Sequence, residues 1–138
     1  MKKVLFCLVI AIISVVLVGC NNTSKTEYKI NEKAVIDGIH IKLVKVEKIN
    51  NELLITFSIK NKTKDTITIN PEKNFKYYNN QIVVSNTYKS NKNIINSNSE
   101  VVYTLQYGYN NQKLHSIYFY SGVVENNIKF SFTSKDIK

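Results

Sequence analysis

Several residue types that common protein chemistries require are scarce or missing in this chain. Its 138 residues include two cysteines, two histidines, four glycines and one proline, with no tryptophan, and all 19 basic residues are lysine. Zinc sites need clustered cysteines and histidines, and phosphate-binding loops need several glycines. Arginine is the side chain whose geometry suits phosphate best. The composition therefore gives no support to a metal site, a nucleotide-binding loop or a nucleic-acid interface, and we predict no cofactor.

Groups that could carry out catalysis are also sparse. The ten carboxylates lie mostly near turns and strand ends beside lysines, which is typical of solvated surface charge. His40 and His115 each fall in a strand pattern, and Ser116 and Ser121 lack the Gly-x-Ser-x-Gly context of an activated serine. We predict a protein that is not an enzyme and has no catalytic residues. A carboxylate pair formed in space, as in a cell-wall hydrolase, stays open as an alternative.

The N-terminal segment carries the most specific motif in the sequence. A short basic segment precedes an uncharged, mostly apolar run from Val4 to Val18. That run is shorter than the roughly 20 residues of a bilayer span and has the layout of a secretory signal peptide. Leu17-Val18-Gly19-Cys20 closes it and resembles the lipobox of bacterial lipoproteins, Leu-x-Gly-Cys. The resemblance implies cleavage between Gly19 and Cys20 and a diacylglyceryl thioether on Cys20.

The motif divides the chain into three parts. Residues 1–19 are predicted to be the signal peptide, residues 20–27 a polar, lipidated tether, and residues 28–138 one globular domain. Because two acyl chains give stable attachment, the predicted location is the outer face of the cytoplasmic membrane, on the extracellular side. An uncleaved N-terminal anchor, or a signal peptide cleaved elsewhere, is the alternative.

From Tyr28 onward the apolar residues recur with a period of two, which is typical of half-buried strands. A turn at Asp37-Gly38 and several asparagine-rich turns are predicted between the strand patterns, and no window of ten residues shows a sustained helical period. Ser85 to Ser99 is predicted to be a long loop. Seven to nine short strands favour an all-β, immunoglobulin-like antiparallel β-sandwich after the signal-peptide helix. The predicted inward sets include Ile39, Ile41, Leu43; Leu53, Ile55, Phe57, Ile59; Tyr103, Leu105, Tyr107; Ile117, Phe119; and Ile128, Phe130, Phe132.

Tyrosine is the one abundant residue type with binding chemistry. Most of the nine tyrosines are expected in the core, and Tyr103 is a candidate for a tyrosine corner. Tyr118 and Tyr120 fall on the outward positions of their strand pattern and form a possible binding patch. The formal net charge is +9, or +7 without Lys2 and Lys3, which favours attraction to an anionic membrane and wall. The lysines look dispersed, so we expect no nucleic-acid partner.

Two segments, Tyr28 to Leu43 and Leu54 to Pro71, resemble a large family of uncharacterised Gram-positive lipoproteins with an immunoglobulin-like domain. That family is similar in fold to a mycobacterial secreted immunoprotective antigen, and the resemblance covers about residues 28 to 120. It implies a fold and brings no catalytic residues. The hairpin at Asn79-Asn80 departs from it, because the family usually has a glycine there. The matching positions are Asn31-Glu32, Gly38-Ile39, Phe57, Asn61 and Pro71.

These observations predict a membrane-anchored, extracellular lipoprotein whose immunoglobulin-like module binds a protein or envelope component without catalysis. An accessory or immunity-type lipoprotein that modulates a neighbouring membrane complex is the main alternative.

Overall fold

The computed structural model describes residues 25–85, 93–122 and 126–138. The predicted signal peptide, the cleavage site at Gly19 and the lipid-accepting Cys20 lie outside these residues. Within them, no helix is long and apolar enough to cross a membrane.

Eleven strands and two short helical turns make up the described residues. The strands are β1 Glu27–Tyr28, β2 Lys33–Ile36, β3 Ile39–Ile49, β4 Glu52–Asn61, β5 Ile67–Ile69, β6 Phe75–Asn79, β7 Ile82–Val84, β8 Asn93–Ile95, β9 Glu100–Gly108, β10 Leu114–Tyr120 and β11 Asn127–Thr133. The helical turns are α1 Pro71–Asn74 and a 3₁₀-helix at Ser134–Asp136. Glu27, which the sequence assigned to the tether, is the first residue of β1.

Nine of these strands form the two sheets of a β-sandwich, as predicted. The five-stranded sheet has the order β1-β11-β10-β6-β7 and the four-stranded sheet the order β2-β3-β4-β9, while β5 and β8 form a separate pair. Neighbouring strands are antiparallel, except that β1 runs parallel to β11. The chain changes sheet between β1 and β2, β4 and β6, β7 and β9, and β9 and β10. The last three crossings are those of immunoglobulin-like sandwiches.

The alternating apolar positions face the space between the two main sheets, as predicted. Phe57 is fully buried and contacts Phe75 and Phe130, with ring centroids 5.1 and 5.5 Å apart. Phe75 also packs against Phe119, so aromatic rings from both sheets meet at the centre. Complete burial of one such side chain stabilises the fold by about 1.5–3 kcal/mol. The core therefore rests on the same alternation that the sequence shows.

The predicted turn at Asp37-Gly38 is present and has a specific steric requirement. Asp37 and Gly38 both have positive φ angles, 48° and 76°. A Cβ atom on Gly38 would lie 2.9 Å from Cγ2 of Thr63, so a side chain there would need Thr63 to move. The carboxylate of Asp37 accepts hydrogen bonds from the Ser121 hydroxyl and the Asn126 amide. This turn therefore joins the two main sheets at one end of the sandwich.

Two predictions about the connections need correction. The hairpin expected at Asn79-Asn80 turns one residue later, since Asn80 and Gln81 carry the positive φ angles, 47° and 70°. The loop expected over Ser85 to Ser99 contains β8, which pairs with β5 and buries Ile95. Three residues are too few to show an alternation in the sequence, so β8 is recognised only by its pairing with β5.

Candidate binding surface on the five-stranded sheet

Three tyrosines lie together on the outer face of the five-stranded sheet. In β10, His115, Ile117 and Phe119 point inward, so Tyr118 and Tyr120 point outward. In β6 the same alternation places Tyr78 outward, and β6 is the direct neighbour of β10. We call Tyr78, Tyr118 and Tyr120 the tyrosine face. The structure thus places both sequence-predicted patch residues together and adds Tyr78 to them.

The rings of the tyrosine face contact one another. Tyr78 meets Tyr118 edge-on, with centroids 5.3 Å apart and an interplanar angle of 72°, and Tyr118 stacks on Tyr120 at 6.4 Å. All three side chains are half-buried, so part of each ring stays accessible. Such pairs contribute about 0.5–1.5 kcal/mol beyond area burial. The cluster is therefore an ordered aromatic surface before any partner arrives.

Lysines and an exposed valine border the tyrosine face. The Lys76 ammonium lies 5.3 Å from the Tyr120 ring centroid, within cation–π range. Lys129 is the β11 partner of Tyr118, and its ammonium pairs with Glu27 at 3.1 Å. Val83 lies opposite Tyr78 in β7 and is 57% exposed. The surface thus combines aromatic, aliphatic and cationic groups, which suits a partner with apolar or sugar rings and acidic groups.

The hydroxyl of Tyr120 stays protonated at neutral pH. Burial raises its pKa, and Tyr78 and Tyr118 raise it further, because ionised tyrosines so close together would repel one another. The tyrosine face can therefore offer a neutral hydroxyl as hydrogen-bond donor as well as ring surface.

His115 lies beneath this surface, on the inner side of β10. Its side chain is buried and stacks on Phe132 at 5.1 Å. Nδ1 lies 2.7 Å from the Tyr77 hydroxyl and Nε2 lies 3.0 Å from the Gln112 carbonyl oxygen. Because a carbonyl can only accept, Nε2 carries the proton and Nδ1 accepts from Tyr77. Burial lowers the pKa of His115 by penalising its charged form, and the Gln112 carbonyl partly offsets this.

The two histidines lie in different sheets. His40 is an outward residue of β3 in the four-stranded sheet, whereas His115 is buried under β10. Among residues 25–85, 93–122 and 126–138, no group of three or more His, Cys, Asp or Glu side chains could hold a metal ion.

The other tyrosines of the described residues divide between core and rim. Tyr77, Tyr103 and Tyr107 are buried, while Tyr28 and Tyr109 are half-buried like the tyrosine face. Tyr103 lies in the middle of β9 and stacks on Phe75 at 6.1 Å, so its ring contributes to the core between the sheets. Its role as a tyrosine corner stays a prediction.

The grouping of Tyr78 with Tyr118 was missed in the sequence, although a signal was present. Phe75 to Asn79 alternates like the other strands, which assigns Tyr77 and Tyr78 to opposite faces. The adjacency of β6 and β10, which are separated in sequence by β7, β8 and β9, has no such local signal.

Comparison with known proteins places this chain among bacterial β-sandwich proteins by fold. The yjhA protein of Bacillus subtilis superimposes with a TM-score of 0.65 over 76% of this chain and 98% of its own, at 15% identity. The ycdA protein of Bacillus subtilis strain 168, proposed to be a lipoprotein, gives 0.63 over 75% of this chain and 39% of its own, at 17% identity. An uncharacterised β-sandwich protein of Clostridium difficile 630 gives 0.53 over 83% and 97%, at 15% identity.

These similarities establish the β-sandwich fold and assign no function to this chain. No protein-family model matches the sequence, and no curated protein matches it either.

Proposed function

We propose that this protein is a lipid-anchored, extracellular lipoprotein whose immunoglobulin-like module binds a protein or cell-envelope component without catalysis. Cleavage before Cys20 and diacylglyceryl transfer to its thiol attach the chain to the outer face of the cytoplasmic membrane. The tyrosine face is the binding surface. The observation that carries the proposal is the mutual contact of three half-buried tyrosine rings on an outer sheet face.

Two kinds of similarity support the anchor. Leu17-Val18-Gly19-Cys20 has the residue pattern that lipoprotein processing requires, and one neighbour in fold, ycdA, is itself proposed to be a lipoprotein. The Bacillus and Clostridium neighbours share the β-sandwich fold that the proposed family of Gram-positive lipoproteins would have.

The tether reaches the domain at the edge of the same sheet. Glu27 of β1 lies opposite Lys129, Lys129 lies opposite Tyr118, and Tyr118 lies opposite Lys76, so one row crosses four strands. With strands about 4.8 Å apart, Tyr118 is about 10 Å from the point where the chain enters the sheet. Six residues, 21–26, separate Cys20 from β1, and a random coil of that length spans only about 13 Å on average. The tyrosine face therefore works close to the membrane.

This closeness also favours the second candidate function. An accessory or immunity-type lipoprotein that contacts a neighbouring membrane complex would use the anchor to raise its effective concentration at that complex. A binding surface within reach of the bilayer is what such a role requires.

The tyrosine face can be tested by site-specific crosslinking in the native membrane. A photoreactive phenylalanine analogue at position 118 should give discrete crosslinked products with a protein or envelope component. The same analogue at Val102, which is 71% exposed on the opposite outer face, should not give those products.

The double variant Tyr118→Ser with Tyr120→Ser provides an independent test. Its saturable binding to isolated envelopes should weaken at least about tenfold, because buried tyrosine anchors commonly contribute 2 kcal/mol or more. Val102→Ser serves as the matched control and should bind like the wild type. Unchanged binding by the double variant, with its thermal unfolding intact, would remove the tyrosine face from the proposal.

A further inference from the structure

The outer face of the four-stranded sheet carries a groove that the tyrosine face does not share. Its volume is about 560 Å³, and it lies over β2, β3 and β4 and the start of β9. Four lysines line it, and we call Lys33, Lys42, Lys60 and Lys62 the lysine groove. Asn31, His40, Ser58 and Glu100 complete its polar lining.

Strand pairing brings these lysines together from separate parts of the sequence. Lys33 of β2 lies directly opposite Lys42 of β3, and His40 of β3 lies directly opposite Lys60 of β4. Lys62 follows β4, where its backbone N–H donates to the Gly38 carbonyl oxygen at 2.8 Å. The sequence shows these lysines as dispersed, and the sheet gathers them.

The charges in the groove are unbalanced. Glu100 is the one carboxylate that lines it among the described residues. The Ser58 hydroxyl donates to Glu100 at 2.6 Å and the Lys60 ammonium lies 3.7 Å from it. The Ser58 hydrogen bond lowers the pKa of Glu100, with the charges of Lys60 and Lys42 acting in the same direction. In the described parts of the chain, Lys33, Lys42 and Lys62 form no ion pair.

Such an arrangement is unfavourable without a bound anion. Like charges directly opposite each other on an antiparallel pair destabilise the sheet, and Lys33 and Lys42 are placed in this way. An anion bound between them would remove that repulsion. The lysine ammonium is a mobile point charge with three donors, so several lysines can follow phosphates that are not rigidly spaced.

We propose that the lysine groove binds the phosphodiester groups of an anionic polymer. The lining favours a polymer over a membrane surface, because membrane-contacting faces insert apolar or aromatic side chains. Ile41 is the apolar residue of this lining, and it is fully buried. A concave groove also admits a flexible chain more readily than a flat layer of headgroups. This site is separate from the tyrosine face and does not depend on it.

The test measures binding of a poly(glycerol phosphate) oligomer to the full mature chain in neutral detergent. Lys33→Gln with Lys42→Gln should weaken binding at least about tenfold. Lys113→Gln with Lys135→Gln, which removes the same charge at the other end of the sandwich, should change it less than twofold. Glu100→Gln should strengthen binding, because it removes the negative charge and keeps an acceptor for Ser58. Tyr118→Ser with Tyr120→Ser should leave it unchanged, which separates this site from the proposed function.

Other ligands distinguish the possible sources of the phosphate. Poly-glutamate of equal charge, inorganic phosphate and vesicles containing phosphatidylglycerol should each bind more weakly and respond less to the Lys33 and Lys42 changes. If both lysine double variants lose affinity equally, or if poly-glutamate binds as tightly as the phosphate polymer, binding depends on net charge alone and the proposal is wrong. Preferential binding of vesicles or of free phosphate would overturn the assignment to a polymer.

Discussion

The Tyr77 hydroxyl donates a hydrogen bond of 2.7 Å to Nδ1 of His115 inside the sandwich, although 38 positions separate the two residues. The register that pairs β6 with β10 brings them together, and both rings also stack on Phe132. His115 is therefore held as a neutral, Nε2-protonated imidazole that supports the sheet beneath the tyrosine face.

The pH dependence of stability should reveal this histidine. Its pKa is lowered in the folded state from an ordinary 6.5, so the unfolded chain takes up a proton first as the pH falls. We expect the free energy of unfolding to decrease as the pH falls below about 6.5, down to the lowered folded-state pKa. Urea unfolding at a series of pH values between 7.5 and about 5.5 measures this, because carboxylates with a lowered pKa, such as Glu100, add their own dependence at lower pH. His115→Phe should flatten the dependence in that range, while His40→Gln should keep it. A slope that survives in His115→Phe would show that another group is responsible.

Removing the Tyr77 hydroxyl should destabilise the protein. Tyr77→Phe leaves Nδ1 of His115 buried without its donor, and an unpaired buried polar atom costs about 1–3 kcal/mol. Chemical denaturation at pH 7.5 gives the difference directly. Tyr109→Phe is the matched control, because the Tyr109 hydroxyl bonds to Asn111 at the surface, and we expect it to cost less than half as much. Equal effects of the two substitutions would contradict the importance of the buried hydrogen bond.

Asn61, the last residue of β4, should be important for holding the β5–β8 pair against the four-stranded sheet. Its buried amide donates to the carbonyl oxygens of Asp65 at 2.7 Å and Ile95 at 3.0 Å, and its Oδ1 accepts from the backbone N–H of Thr63 at 2.9 Å. Asn61→Ala should cost about 1–3 kcal/mol for each buried group left unpaired. Asn111→Ala at the surface should stay within about 0.5 kcal/mol of wild type. A thermal scan that ranks the two variants alike would argue against this role.

The register of β4 can be tested at Phe57. Because Phe57 is fully buried between the sheets, Phe57→Ala should cost about 3–5 kcal/mol in unfolding free energy. Val102→Ala, in the neighbouring strand and 71% exposed, should cost less than about 0.5 kcal/mol. A loss below 1 kcal/mol for Phe57→Ala would place this side chain outside the core.

The parts of the fold that local pattern determines could be predicted from the sequence. Phe57 and Phe119 were assigned to the core because alternation in a strand fixes which face each side chain occupies. Asp37-Gly38 was assigned to a turn because both residues tolerate positive φ angles. Tyr118 and Tyr120 were placed outward by the same alternation.

Relationships between strands distant in sequence could not be predicted in this way. Alternation within each strand predicts that Lys33, Lys42 and Lys60 point outward. Whether they lie close together depends on how β2, β3 and β4 pair. The sequence places His115 in a strand pattern, but its hydrogen bond with Tyr77 depends on β6 lying beside β10. The strand β8 was missed because Asn93–Ile95 is too short to show a period.

The proposal that this module works at the membrane depends most directly on Cys20, and the intact mass of the mature protein from native membranes tests it. We expect a chain that begins at Cys20 and carries the added mass of a diacylglyceryl group on that residue. A chain that retains Met1, or one that begins at an unmodified Cys20, would contradict lipid anchoring.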